Sequence, residues 1–424
     1  MSGNAQGSHR PDVVRRAAGD ENLERMEPVM DGAQLRERLR QHLGVLVEQI
    51  GPRPPGSPGN RRATDYLRTR LSAAGLDVAE AEFVTQWWEP EPCLLETPGG
   101  SRRELIANPF SQAGEVRGPV VKVETREALL GRSGQPPGAV IVLGPAIGGD
   151  PVVPKSFPFF MPDEHRELIA ALEVLRPAAV IAVSERHASL PTFEDPELCF
   201  PSLTVAPEVG AQLRPGEEVH IVFRGRNHRG HGVNISARTA APGRRLVASA
   251  HVDAKITTPG AFDNAGSVAA LLVLAETASS DLGPVEFVFF NGEDHYDAGG
   301  ELAWLEATDL AEVAVNVNLD GVGVRGRRTG VTCLACPPPI QDRIARLGDE
   351  DSWTLMPPWF ESDHAIFAMR DIPAVAVTSE HVHDLLTSVA HTPADTLDVV
   401  DVDILLDIVH RLRGLFSHLD DDLR

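Results

Sequence analysis

Cysteine is scarce in this chain, with four in 424 residues. That is too few for a disulfide framework, so nothing requires an oxidising compartment. Basic charge is short as well: 39 Lys and Arg stand against 61 Asp and Glu, for a formal net charge of −22. A nucleic-acid binder needs a basic face to neutralise phosphates, so this balance argues against such a partner and describes a solvated acidic surface. Long hydrophobic runs are also missing. Apolar residues make up 42% of the chain, yet no stretch is long enough to span a bilayer, and the first thirty residues hold no apolar core of signal-peptide length. The expectation is a cytoplasmic protein without a membrane partner. Cys333 and Cys336 have CxxC spacing but lack the second pair or the histidines that complete a zinc site, so they read as small buried hydrophobes.

What is present is length and order. The chain exceeds what one core usually holds, so two domains, or one with a large insertion, are expected. Residues 1–30 are polar and without apolar periodicity, which predicts a disordered tail. Residues 34–50 and 63–74 carry apolar side chains at helical spacing on either side of a loop, GPRPPGSPGNRR. The following LDVAEAEFVTQWWEPEP alternates as an edge strand does. Residues 114–228 consist of short β-rich runs between Pro and Gly turns, with one helical stretch from Asp163. FMPDEH within them reads as a surface loop or a lid. From Val233 strand and helix alternate, as in a mostly parallel sheet with helices on both faces. The expected division is a main domain, 31–113 with 229–424, and an inserted β-rich module, 114–228. The fold class is α/β with that module added.

Chemistry gathers at the ends of the later strands. RLVASAHVD ends a buried strand in His251 and Asp253, two residues apart and so able to lie side by side. A ligand histidine is usually oriented by a carboxylate, which gives His251 the metal and Asp253 the orienting role. GAFDNAGS places Asp263 at the mouth of an apolar helix, either as an N-cap or as a carboxylate able to bridge two cations. VEFVFFNGED sets Glu293 and Asp294 side by side. Two adjacent carboxylates repel unless a cation or a proton compensates them, so they read either as an exposed acidic turn or as a general base and a metal ligand. VNVNLDG ends another strand in Asp320. SDH and HTPADTLD add His364 and His391 on separate loops. Each feature alone has an ordinary structural reading. The joint order His251, Asp263, Glu293–Asp294, Asp320, His391 is what specifies a metal site.

HVD, GAFDNAGS, NGED, NLDG, SDH and HTPADTLD together resemble the co-catalytic zinc aminopeptidase family, which includes bacterial leucine-type aminopeptidases and relatives of glutamate carboxypeptidase. The resemblance covers about 233–416, and more weakly 34–74. It implies two zinc ions, with His251 and Asp320 on one, Asp294 and His391 on the other, and Asp263 between them. It also implies Glu293 as general base and Asp253 as the partner of His251. The 114–228 stretch resembles the protease-associated domain found inside many zinc aminopeptidases. The implied activity is exopeptidase action on a peptide or amino-acid amide, most simply as an aminopeptidase, with a homo-oligomer as a possible assembly. Carboxypeptidase or amidase action, a glutaminyl-cyclase-like acyl transfer, and a non-catalytic binding role stand as alternatives. Two departures are visible: Asp294 stands where family members frequently carry glutamate, and Ala390 where several carry an oxyanion-stabilising tyrosine. His364, His381 and His383 are the candidates for that last role.

Overall fold

The computed structural model describes residues 30–97, 99–186, 190–278, 282–348 and 351–422, together with main-chain structure alone over the last few of these. The expected disordered tail lies, but for Met30, outside the described residues. The chain opens with the helix Gly32–Leu43, whose N-cap Asp31 accepts from the Ala33 and Gln34 amides in a capping box. Its last turns continue as a wider helix, Gly44–Ile50. The next helix is longer than its apolar periodicity predicts. It runs Pro58–Ala73 because Ser57 caps the Asn60 amide and Pro58 sits at the first helical position, where its missing N–H costs nothing.

Among the described residues, fifteen strands form two sheets. The chain lays down β1 (Asp77–Pro90) and then leaves for the second sheet. There it forms β2 (Pro92–Glu96), β3 (Arg102–Ile106), β4 (Gly114–Val123), β5 (Val140–Leu143), β6 (Ala179–Val183), β7 (Ser202–Val205) and β8 (Glu218–Phe223). It returns through β9 (Gly225–Arg238) and completes the first sheet with β10 (Arg245–His251), β11 (Val285–Phe290), β12 (Val313–Leu319), β13 (Thr329–Leu334), β14 (Trp353–Leu355) and β15 (Ala374–Ser379). The orders are β1-β9-β11-β10-β12-β15-β13-β14 and β3-β2-β8-β4-β5-β6-β7. β1 is an edge strand, as its alternation predicts. The second sheet takes in β2 and β3, so it begins ahead of residue 114. β1 and β9 pair antiparallel over their whole length, from Asp77 against Arg238 to Pro90 against Gly225.

At the centre of the first sheet β11, β10, β12 and β15 run parallel. Parallel strands are buried on both faces, and alternate residues feed two separate cores. From β10, Leu246, Ala248 and Ala250 join one core, while Val247 joins the other. The helix Gly266–Glu276 explains the depth of the first core. It is apolar all round and buried along almost its whole length, because the helices Gly32–Leu43 and Val402–Asp422 cover the side turned from the sheet. Each buried Leu or Val there contributes roughly 1.5–3 kcal/mol. All four cysteines are free thiols, and Cys336 donates to the Ala374 carbonyl.

Candidate metal centre

His251 closes β10 on the face shared with Val247 and Ser249. Ser249 Oγ donates to Asn318 Oδ1 of β12 at 2.7 Å and accepts from Asn316 at 2.9 Å, a polar row that leads up to the histidine. Past the strand, Asp253 turns back into the protein and is fully buried. Its Oδ1 accepts from the Gly292 amide at 2.8 Å and its Oδ2 from the Asp294 amide at 3.2 Å. Oδ1 also lies 3.6 Å from His251 Nδ1. One carboxylate thus holds the end of β11 against the end of β10 and faces the imidazole edge turned away from the centre.

Asp263 is not a helix cap. The helix behind it starts at Gly266 without a side-chain cap, and Asp263 lies in a non-helical turn whose Asp263–Asn264 peptide is cis. The turn is held from the far end of the chain: Asp395 accepts from the Phe262 and Asp263 amides at 2.6 and 3.0 Å. Asn264 ties it to the end of β12, donating to the Leu319 carbonyl and accepting from the Gly321 amide. From below, the buried Arg53 donates to the carbonyls of Val252, Pro259 and Gly260 at 2.6, 2.8 and 2.9 Å. Burial pulls this guanidinium down to about 10, which still leaves it cationic at neutral pH.

So held, Asp263 presents one oxygen to each side. Oδ1 lies 3.1 Å from His251 Nε2, and Oδ2 lies 2.9 Å from His391 Nε2. Asp320, beyond β12, stands 3.5 Å from the same His251 nitrogen, and Asp294 stands 2.8 Å from the same His391 nitrogen. Among the described residues three groups of three donors result, His251–Asp263–Asp320, Asp263–Asp294–His391 and His251–Glu293–Asp294, each with ligand atoms within 4.8 Å of one another. Glu293 Oε2 lies 3.9 Å from His251 Nε2, and at 22% its side chain is the most exposed carboxylate of the set. The shorter Asp294 still reaches His391. His391 itself holds a left-handed backbone, φ 61°, uncommon for a non-glycine residue.

The electrostatics follow from crowding. Burial pushes the Glu293 carboxyl well above the carboxylate range; Asp294, Asp320 and Asp263 add to the push, against His251. Burial alone would discharge His251 and His391, but the surrounding carboxylates prevail and hold both imidazoles well above their ordinary value. The cluster favours positive charge at its centre.

Several contributing residues carry no signal in the local sequence. Lys255 is one: its ammonium pairs at 2.8 Å with Glu194, in the loop between β6 and β7, and donates to the Asp294 carbonyl. Arg53 and Asp395 act on residues 207 and 133 positions away, and only the fold reveals them. His364 is fully buried and turned away, donating through Nε2 to the Trp359 carbonyl at 2.6 Å, so it is not placed as an oxyanion donor. His381 and His383 are exposed beside Glu380 and Glu361. A cavity of about 650 Å³ opens over the centre, and both sheets wall it: Phe157, Phe159 and Glu194 on one side, Glu293, Trp359 and His391 on the other.

A parallel α/β sheet with this set of carboxylates and imidazoles beyond its strand ends defines the zinc exopeptidase class of fold. Residues 234–414 match Peptidase family M28. It is 26% identical over 303 residues, 67% of its own length and 58% of the other's, to the probable lipoprotein aminopeptidase LpqL of Mycobacterium tuberculosis. The chain thus spans less than two thirds of that relative. Similar solved structures include the aminopeptidase from Aneurinibacillus sp. strain AM-1, with TM-score 0.67, 19% identity, and 92% and 94% of the two chains covered. Another is BSAP, a zinc aminopeptidase from Bacillus subtilis, with TM-score 0.70, 17% identity, and 91% and 94% covered. At such identities the likeness is one of fold. Among the described residues, no helix is long and apolar enough to cross a membrane.

Proposed function

We propose that this chain is a zinc-dependent exopeptidase, an aminopeptidase acting on peptides or amino-acid amides, with two ions at its centre. The observation that carries this reading is Asp263, whose two oxygens face two separate donor groups with Glu293 alongside. The donors fit zinc: imidazole nitrogens and carboxylate oxygens are its ordinary ligands besides thiolate. Both ring nitrogens of His251 and Oδ2 of Asp294 are buried without a hydrogen-bond partner, which a bound cation would remedy at Nε2 and Oδ2. His251 and Asp320 would hold one ion, Asp294 and His391 the other, and Asp263 both. Bound zinc supplies an acidified water and a polarised substrate carbonyl.

The remaining work falls to the protein. Asp253 fixes the His251 ring and the Glu293–Asp294 turn together. Glu293 takes a proton from the attacking water and returns it to the leaving nitrogen, a role for which a raised carboxyl is suited. We assign residues 91–224, carrying the second sheet, as an inserted unit of the protease-associated kind that completes the cavity wall. Metal content and turnover on a panel of free-amine and amine-blocked peptides test the reading. About two zinc ions per chain with cleavage of free-amine substrates is the expected result. Cleavage of blocked substrates bearing a free carboxylate would make the protein a carboxypeptidase, and absence of any hydrolysis by the zinc-loaded chain would leave only a binding role.

A further inference from the structure

Beside the donor groups, the cavity wall holds two carboxyls with no place in the chemistry so far. Glu301, in the first turn of the helix Gly299–Ala307, and Asp363, which precedes the helix His364–Ala368, both line the cavity. They are 3% and 1% exposed. Glu301 Oε2 and both Asp363 oxygens lack a hydrogen-bond partner among the described residues. The two side chains meet each other, and the charges bearing on Asp363 are those of Glu301, Glu293, His251 and Asp320. A proton shared between them engages at most two of the three orphaned oxygens, one as donor and one as acceptor. At least one therefore remains to accept from the cavity, and leaving a buried acceptor unmade is costly. Asp363 makes no cap bond to the helix it precedes.

We propose that Glu301 and Asp363 form a cation subsite that receives an ammonium group of the substrate. The inference rests on the exopeptidase reading above and deepens it, because it names what the cavity selects. An ammonium brings three donors on one atom, suited to several converging acceptors. The cations on the same wall are already engaged: Lys255 by Glu194 and the Asp294 carbonyl, and Arg186 by Asp150 at 2.9 Å. Among the described residues, the wall thus keeps orphaned acceptors for a cation and no uncommitted lysine or arginine for a substrate carboxylate. The subsite also neighbours Glu293. A free α-amine lies two bonds from the carbonyl carbon that is attacked, so the α-ammonium is the group to which we assign it.

The test is calorimetric binding to the zinc-loaded protein of 3-methylbutylamine, with 3-methylbutan-1-ol as the neutral control, in wild type, Glu301→Gln and Asp363→Asn. Thermal unfolding and zinc content verify that each variant is folded and loaded. The wild type should bind the amine about tenfold more tightly than the alcohol, as a charge-assisted hydrogen bond provides. The variants should lose that advantage while keeping their zinc. In turnover of leucine amides by Glu301→Gln, KM should rise about tenfold and kcat should stay within about twofold. Leucinamide should compete with the amine. Competition by Nα-acetyl-lysinamide instead would keep the subsite and assign it to a side-chain ammonium. Equal amine binding in wild type and both folded variants would overturn the proposal. If leucine amides were still cleaved then, the exopeptidase reading would survive; a chain that binds the amine through these carboxyls yet cleaves nothing would invert that result.

Discussion

The two sheets share a design and differ in what they carry. Each has a core of parallel strands, β11-β10-β12-β15 in the first and β4-β5-β6-β7 in the second, buried on both faces save for β4, whose first half is largely exposed. The parallel strands of the first run out into His251, Glu293, Asp294 and Asp320. In the second, β6 runs out into Ser184, whose hydroxyl donates to the Gly149 carbonyl at 2.7 Å and accepts from the Arg186 amide at 3.2 Å. Among the described residues, each group of donors able to hold a metal lies on the first sheet. Parallel strands offer a crevice at their carboxyl ends, but a site arises only where that crevice is lined with groups that cannot satisfy one another.

The largest expected break in this contrast is at Glu293. Glu293→Gln keeps the shape and every proposed ligand, so zinc content should hold while kcat falls by about 10²–10⁴, the usual scale of a general base. Unchanged turnover would show the base to be elsewhere. Next comes acid stability. Burial holds His364 down to about 4, against an ordinary value near 6.5, with only the Trp359 carbonyl pulling the other way. Between those values the unfolded chain binds the extra proton and the folded chain does not, so stability present above pH 6.5 is lost as the pH falls to 4. The loss is about 3 kcal/mol. Urea unfolding from pH 7 to 4 should show His364→Gln with a shallower decline than wild type, and parallel declines would refute the assignment.

A smaller effect concerns the contact between the sheets. Lys255→Met strands Glu194 and frees the Asp294 carbonyl. It should lower kcat/KM by roughly tenfold, about 1.4 kcal/mol, and weaken retention of one metal against a chelator. Full activity and metal retention would mean that the second sheet has no influence on the centre. Smallest of all is Ser184→Ala, the corresponding strand end in the second sheet. It should cost about 0.5–1.5 kcal/mol in unfolding and leave turnover untouched. A drop in turnover there would erase the difference between the sheets.

What was legible in the chain follows from how far each interaction reaches. The strand ends announced themselves because an apolar run broken by His251, Glu293 or Asp320 is a local pattern. The edge position of β1 and the apolar helix after Asp263 were equally local. The start of the helix at Pro58 was hidden by Pro and Gly residues whose capping role depends on position. Asp263 had two readings until the structure showed its amide held by Asp395, more than a hundred residues away. Arg53, the Lys255–Glu194 pair and the Glu301–Asp363 pair were invisible for the same reason: each is defined by a partner that only the fold brings near.

The pairing of β1 with β9 has a consequence for how the chain reaches this state. Pro90 faces Gly225, so everything between them leaves and re-enters at one point. Kinetically the second sheet is the turn of one very long hairpin. An open loop of that length must be closed before the ribbon can zip, at a cost that rises by about 0.6 kcal/mol per doubling. If the second sheet forms first, β8 and β2 bring the two ends together and that cost is met before β1 and β9 meet. Folding order, and with it the time during which the first sheet's apolar strands stand open to aggregation, would then be governed by the part of the molecule that, among the described residues, carries none of the proposed metal ligands.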